Sequence, residues 1–92
     1  MGERIDQLKT DISEALELPK EIMLDLPKIS MVGNLQINIE NHKGIIEYTP
    51  TQIRISSNAG MLKIKGSHLY IKVIIKEEIV ITGDIQSFEF IP

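Results

Sequence analysis

Few residues of this chain have side chains that could carry out acid–base or metal chemistry. There are two histidines, His42 and His68, which lie 26 positions apart, and there is no cysteine. Without cysteine, disulfides, zinc–thiolate sites, iron–sulfur sites and thiol nucleophiles are excluded. A metal site would need further ligands grouped around the histidines. We therefore interpret both histidines as solvated residues of turns or strand starts.

Acidic residues in predicted turns are the remaining candidates for chemistry. Asp84 follows Gly83 in a turn pattern, and Glu77 and Glu78 form an acidic pair after a strand pattern. A general base needs a partner group and a cleft, whereas turn geometry and edge solubility explain these residues directly. No phosphate-binding loop, nucleophile elbow or zinc-protease motif occurs. The sequence predicts a protein that is not an enzyme, with no catalytic residue, metal ligand or cofactor.

Lysines alternate with apolar residues on two neighbouring predicted strands. If a hairpin turn at Gly66 and Ser67 pairs these strands, the lysines share one face. This lysine face consists of Lys63, Lys65, Tyr70, Lys72, Ile74 and Lys76. It could attract an anionic membrane surface or an acidic segment of a partner. The alternative is a solvated face whose lysines keep sheet edges from aggregating.

The first segment has the pattern of an amphipathic helix at about residues 3–17. Apolar residues recur there at spacings of three and four, which places them on one face of a helix. This helix docking face consists of Ile5, Leu8, Ile12 and Leu16. Pro19 prevents the helix from continuing. Because so short a helix is marginal in water, its apolar face must pack on its own domain, on a second copy or on another protein.

From Leu35 onward apolar and polar residues alternate, which is typical of half-buried strands. An earlier strand is expected near residues 28–32, and turns are expected at residues 41–44, at Gly66 and Ser67, near residues 76–78, and at Gly83 and Asp84. The pattern predicts about seven or eight short antiparallel strands in a sandwich or small barrel. A β-solenoid-like stack is the alternative. We expect residues 1–18 to form the helix and residues 19–92 the β-sandwich, in one globular domain.

Charge and hydropathy restrict the partners and the compartment. The net charge is −3, and residues 1–28 carry all of it. A neutral β part has no general attraction for nucleic acid, and aromatic platforms for stacking bases are missing. No signal peptide or membrane-spanning apolar run is visible. We therefore predict a cytoplasmic protein that does not bind nucleic acid.

Three motifs and one strand step carry a resemblance to a known family. The motifs are residues 39–45 (IENHKGI), residues 60–66 (GMLKIKG) and the pattern Ile-x-Ile-x-Gly-x-Ile at residues 79–85, and the step is Leu-x-Ile at residues 69–71. In this order they resemble the YabP/YqfC family of sporulation proteins, most closely its YqfC branch, over residues 18–90. The resemblance implies an immunoglobulin-like β-sandwich, expression in the mother cell during endospore formation, and no established catalytic residues.

These observations together predict a non-enzymatic sporulation factor of the mother cell. We expect an adaptor in the cytoplasm, at the outer membrane surface of the forespore, that binds a membrane-associated sporulation protein through a sheet edge or the lysine face. Peripheral contact with an anionic membrane would accompany that role. The alternative is a structural module that assembles with copies of itself into a spore-associated layer.

Overall fold

The structure, a computed structural model, describes residues 24–92, and the predicted N-terminal helix lies outside them. The described part consists of strands joined by turns and short connections. The six strands are β1 (Lys28–Val32), β2 (Gln36–Glu40), β3 (Gly44–Tyr48), β4 (Gln52–Ser57), β5 (Gly60–Ile75) and β6 (Glu78–Ile91). They form one antiparallel sheet in the order β1-β2-β6-β5-β4-β3.

The alternation of apolar and polar residues sets which side chains enter the core. Ile37 and Ile39 of β2 are fully buried, as are Ile53 and Ile55 of β4, while the polar residues between them are partly exposed. Successive side chains of a strand point to opposite faces, so this alternation buries one face only. The predicted pattern is confirmed for β2 and β4. It begins one residue too early, because Leu35 lies in the turn after β1 and is exposed.

Strands β5 and β6 form a hairpin that is much longer than the sequence pattern predicts. The expected hairpin turns at Gly66 and Ser67 and at Gly83 and Asp84 are wrong, because both pairs lie inside strands. Ser67 instead pairs with Asp84 across the hairpin. The turn between β5 and β6 lies at Lys76 and Glu77, as predicted. The described residues therefore form six strands rather than seven or eight.

Gly66 and Gly83 belong to β-bulges that bend the β5–β6 hairpin at its middle. The register of β5 with β6 shifts between Lys65 and Gly66 and again between Ser67 and Tyr70. His68 and Gly83 have φ values of 55° and 137°. A bulge adds an unpaired residue, bends its strand and increases the local twist. A Cβ on Gly66 would lie 2.0 Å from the carbonyl oxygen of Asp84, so the backbones approach too closely there for any side chain.

The connection between β2 and β3 shows how strongly the sheet curves. The sequence predicts a turn at residues 41–44, but the strands that these residues join do not pair with each other: β2 pairs with β1 and β6, and β3 pairs with β4. The two strands lie four positions apart in the sheet, which would separate them by about 19 Å in a flat sheet. The chain from Glu40 to Gly44 spans at most about 15 Å. The sheet must therefore fold back until the ends of β2 and β3 come close.

The folded-back sheet encloses its own core. One cluster joins Ile37 and Ile79, from β2 and the start of β6 on one side of the bend, to Ile55 and Leu62, from β4 and the start of β5 on the other side. All six strands belong to one continuous sheet, so the predicted immunoglobulin-like sandwich of two sheets is not confirmed. Every pair of neighbouring strands is antiparallel, which does not fit a β-solenoid-like stack.

The close approach of the Gly66 and Asp84 backbones predicts the effect of adding a methyl group at Gly66. Gly66→Ala should lower the free energy of unfolding by about 3 kcal/mol, because the strands must separate to admit the new Cβ. Gly33→Ala is the matched control: its Cβ would meet nothing within 4 Å, and its φ of 52° should cost about 1–2 kcal/mol. Urea unfolding followed by circular dichroism measures both. Equal losses in the two variants would contradict the close approach at Gly66.

Candidate functional site

The second half of β5 has a free edge. β4 pairs with β5 only at Gly60–Lys65, whereas β6 pairs with β5 along nearly its whole length. On the side away from β6, no strand of residues 24–92 pairs with residues 70–75, which we call the β5 edge. Four of its six residues are large, apolar and exposed. They are Tyr70, Val73, Ile74 and Ile75, with exposed fractions of 60%, 36%, 59% and 56%.

The apolar side chains of the β5 edge lie on both faces of the sheet. Ile74 pairs with Ile79, which is fully buried, so Ile74 lies on the core-facing side at the rim of the sheet. Val73 pairs with Val80, which alternates with the core residues Ile79 and Ile81 and is not in the core cluster, so Val73 lies on the outer face. A register shift between Ile71 and Val73 causes this change of side. The expected grouping of Ile74 with Tyr70 on one face is therefore wrong.

The start of the β5 edge is held by the β3–β4 hairpin. The backbone N–H of Leu69 donates to the carbonyl oxygen of Pro50 at 2.8 Å. The backbone N–H of Ile71 donates to the hydroxyl oxygen of Tyr48 at 3.0 Å. The side chain of Tyr48 therefore occupies the backbone N–H of Ile71, which a neighbouring strand would otherwise bind. From Lys72 to Ile75 no strand of the described chain takes over that role.

Two other free edges, those of β3 and of the second half of β6, are less suited to pairing with another chain. The edge of β3 has a register shift between Ile45 and Glu47, and a bulge of this kind turns an edge away from a new strand. The free side of β6 carries the exposed polar residues Gln86, Ser87 and Glu89. Contiguous exposed apolar surface in a small protein marks an interaction site. The β5 edge exposes four large apolar side chains among its six residues, compared with three on β3 (Ile45, Ile46 and Tyr48) and two on β1 (Met31 and Val32).

The structure does not bring the predicted lysine face together through a hairpin. Lys63 and Lys65 lie before the bend, in register with Glu89 and Ser87 of β6. The later members of the set lie beyond the bulges, on the β5 edge or in the turn after it. The full set was Lys63, Lys65, Tyr70, Lys72, Ile74 and Lys76. Its pairing premise is wrong, and its binding of a membrane or partner stays a prediction.

Asp25, which sequence reasoning did not single out, joins three loops at one end of the sheet. Its carboxylate accepts hydrogen bonds from the side-chain nitrogens of Asn41 and Lys43, each at 3.0 Å, and from Asn58. The bonds from Asn41 and Lys43 lower the pKa of Asp25. Because Asn58 follows β4 and Asn41 follows β2, this carboxylate ties together the ends of the two halves. No local motif predicts it, since its partners lie 16 to 33 residues away.

A cavity of about 810 Å³ opens at the same end of the sheet. Its walls combine the start of β1, the end of β2 and the β5–β6 turn. They are lined by Asp25, Lys28, Glu40, Asn41, Ile75, Lys76, Glu77 and Glu78. The acidic pair Glu77 and Glu78 therefore lies beside the apolar end of the β5 edge. Within residues 24–92 no group of three or more histidine, aspartate or glutamate side chains could hold a metal ion.

The two histidines lie in different surroundings. The Nδ1 atom of His42 accepts a hydrogen bond from the backbone N–H of Gly44 at 3.0 Å, while its buried Nε2 has no partner among residues 24–92. Burial lowers the pKa of His42, and the nearby charge of Glu77 partly opposes this effect. His68 lies at the bend of β5 with an exposed side chain, 4.0 Å from the carboxylate of Asp84.

The lowered pKa of His42 predicts how stability depends on pH. Because the pKa of His42 is lowered in the folded chain, the unfolded chain binds the proton more tightly. The contribution of neutral His42 to the free energy of unfolding is therefore complete above pH 6.5 and is lost as the pH falls below that value. We expect His42→Gln to reduce the loss of stability between pH 7.5 and about 5.5. Urea midpoints at both pH values measure this, and the exposed His68→Gln is the control. An unchanged pH dependence in His42→Gln would contradict the assignment.

The hydrogen bond to the Tyr48 hydroxyl should protect the backbone N–H of Ile71, on the β5 edge, from exchange with solvent. Tyr48→Phe removes the acceptor of the Ile71 N–H, which should cost about 1 kcal/mol. Amide exchange at Ile71 should become about five times faster. Hydrogen exchange followed by NMR measures this, and Tyr70→Phe, on the outer face, serves as the control. Equal exchange at Ile71 in both variants would show that the Tyr48 hydroxyl does not protect the edge.

Comparison with known proteins identifies relatives of this chain. Residues 24–92 contain no helix with the length and apolarity to cross a bilayer, and no solved structure shows significant similarity to the chain. An uncharacterized protein of Bacillus subtilis (strain 168), YqfC, is 38% identical over 91 residues, which cover 99% of this chain and 98% of that protein. The model of the YabP family matches residues 25–92. This chain therefore belongs to the YabP family and is similar to YqfC over nearly its full length.

Proposed function

We propose that this protein is a non-enzymatic adaptor of endospore formation that binds another protein by β-strand addition at the β5 edge. The free, apolar edge at residues 70–75 is the observation that carries the proposal. Membership of the YabP family and the resemblance to sporulation proteins support the biological process. The adaptor works in the mother-cell cytoplasm, at the outer membrane surface of the forespore.

Strand addition fits the chemistry of the β5 edge. An added strand gains backbone hydrogen bonds from the unpaired edge, and side chains on both faces provide specificity. Val73 and Ile75 would contact alternate residues of the incoming strand on the outer face, while Ile74 would contact those on the core-facing side. The exposed Lys72 and Lys76 favour acidic residues in the partner segment.

The binding free energy available from the β5 edge favours a partner that is concentrated near it. About three backbone hydrogen bonds would contribute about 1 kcal/mol each. Covering the exposed parts of the apolar side chains would add about 4 kcal/mol. This total is comparable with the cost of association, which is about 4–15 kcal/mol. A partner concentrated at the same membrane surface would bind more readily, because its effective concentration is higher. A membrane-associated partner therefore suits an edge of this size.

Peripheral contact with an anionic membrane would raise the effective concentration of a membrane-associated partner further. Lys65, Lys72 and Lys76 are exposed, and each lysine near an anionic surface contributes about 1 kcal/mol. Such contact would bring the β5 edge to the partner without requiring a membrane-spanning segment in residues 24–92.

Assembly with copies of itself is the second candidate function. The β5 edge and the free side of β6 lie on different parts of the same sheet, so each could pair with another copy. Light scattering during size-exclusion chromatography separates the two functions. A monomer at all concentrations supports the adaptor, whereas growth with concentration supports a structural layer.

The adaptor proposal predicts that charge on the β5 edge abolishes partner binding and spore formation. The test uses an endospore-forming strain in which a tagged copy replaces the native gene. Val73→Lys with Ile75→Lys places charge on the outer face of the edge, where an incoming strand must bury it. We expect recovery of the partner to fall at least about tenfold, as for a loss of about 1.4 kcal/mol or more in binding. The number of heat-resistant spores should fall with it.

The control adds the same charge elsewhere. Gln86→Lys with Ser87→Lys changes exposed residues of β6 and should leave both spore count and partner recovery unchanged. Circular dichroism of both purified variants checks that they fold. If the edge variant folds and still recovers the same partner as the control variant, strand addition at the β5 edge is wrong.

A further inference from the structure

The rim beside the β5 edge is left uncovered by the described residues. Ile74 faces the core side of the sheet yet is 59% exposed, in contrast to its fully buried cross-strand partner Ile79. Tyr48, whose hydroxyl accepts the Ile71 N–H, is 46% exposed and also lies on the core-facing side, since it pairs with the buried Ile53. We call Tyr48 and Ile74 the apolar rim.

The chain enters the described fold close to this rim. Leu24 is the first described residue, and the next residue, Asp25, lines the same cavity as Ile75 and Lys76. Asp25 is held in place by its bonds to Asn41 and Lys43. Residues 17–23 can span about 25 Å when extended. The helix docking face predicted at residues 5–16, called the stripe below, can therefore reach the rim.

The chemistry of the two surfaces is complementary. The stripe consists only of isoleucine and leucine, and a helix as short as the one that the sequence predicts there needs a surface to pack on. Residues 1–23 contain six acidic and three basic residues, for a net charge of −3. Lys72 and Lys76 are exposed along the β5 edge, with the acidic pair Glu77 and Glu78 at the turn beyond them. The acids that flank the stripe therefore find an opposite charge at Lys72, while the charge of Lys76 is balanced by the adjacent acids.

We propose that the stripe formed by Ile5, Leu8, Ile12 and Leu16 packs on the apolar rim of its own chain. In the isolated protein the N-terminal segment then covers Ile74, one of the side chains that an added strand would contact. This intramolecular cover does not depend on the adaptor role. It would shield an otherwise exposed apolar edge from pairing with copies of the same chain.

Site-specific cross-linking tests this packing in the full chain. Because the protein has no cysteine, Ile12→Cys with Ile74→Cys introduces the only two thiols. Mild oxidation at low protein concentration should form a disulfide within one chain, seen by non-reducing electrophoresis and mass spectrometry. The control Ile12→Cys with Ser87→Cys places the second thiol on an exposed residue of β6, beyond the bend. We expect the first pair to oxidise about ten times faster than the control.

Each other outcome overturns the proposal. A disulfide between two chains would assign the rim to a second copy. Equal oxidation of both pairs would mean that the stripe has no preference for the rim. A second measurement avoids dependence on disulfide geometry: maleimide labelling of Ile74→Cys should become several times faster when Leu8→Asp and Ile12→Asp are added. Unchanged labelling would also contradict the packing, whereas loss of a partner in cells would bear only on the adaptor role.

Discussion

The architecture depends on the close contact of two backbones at the middle of the β5–β6 hairpin. Gly66 lies so near the carbonyl of Asp84 that no side chain fits between the strands. The bulges there bend both strands, and the bend allows one continuous sheet to fold back and enclose its own core. A straight hairpin of the same residues would leave the apolar faces of its two halves apart. The fold therefore requires a residue without a side chain at this position.

The same bend creates the candidate binding surface. β4 pairs with β5 only up to Lys65, and the bend carries residues 70–75 away from β4. The second half of β5 is consequently an edge, although its sequence is as apolar as that of a central strand. A further bulge after Ile71 divides the apolar side chains between the two faces, so that Ile74 lies at the rim of the core and Val73 lies outside. Fold and candidate function thus share one structural cause.

The elements at the opposite end from the bend hold the curved sheet closed. Asp25 joins loops from both halves through Asn41 and Asn58, and its carboxylate is favoured in the ionised form by these donors. The β2–β3 connection passes between the same halves, and the Lys43 N–H donates to the carbonyl oxygen of Ser56 at 2.7 Å. Local bonds to exposed groups are individually weak. Their role is to orient short connections whose length already forces the halves together.

The sequence by itself determined the mainly β character of residues 24–92, the buried positions of β2 and β4, the β5–β6 turn and the family. Each of these follows from side chains that are neighbours along the chain, since alternation and turn chemistry are local properties. Only the tertiary structure decided that Gly66 and Gly83 form bulges rather than turns, that β2 and β3 do not pair, and that residues 70–75 form a free edge. A glycine in a tight turn and a glycine in a crowded bulge have the same local pattern. What distinguishes them is the strand packed beside them, and that strand is distant in sequence.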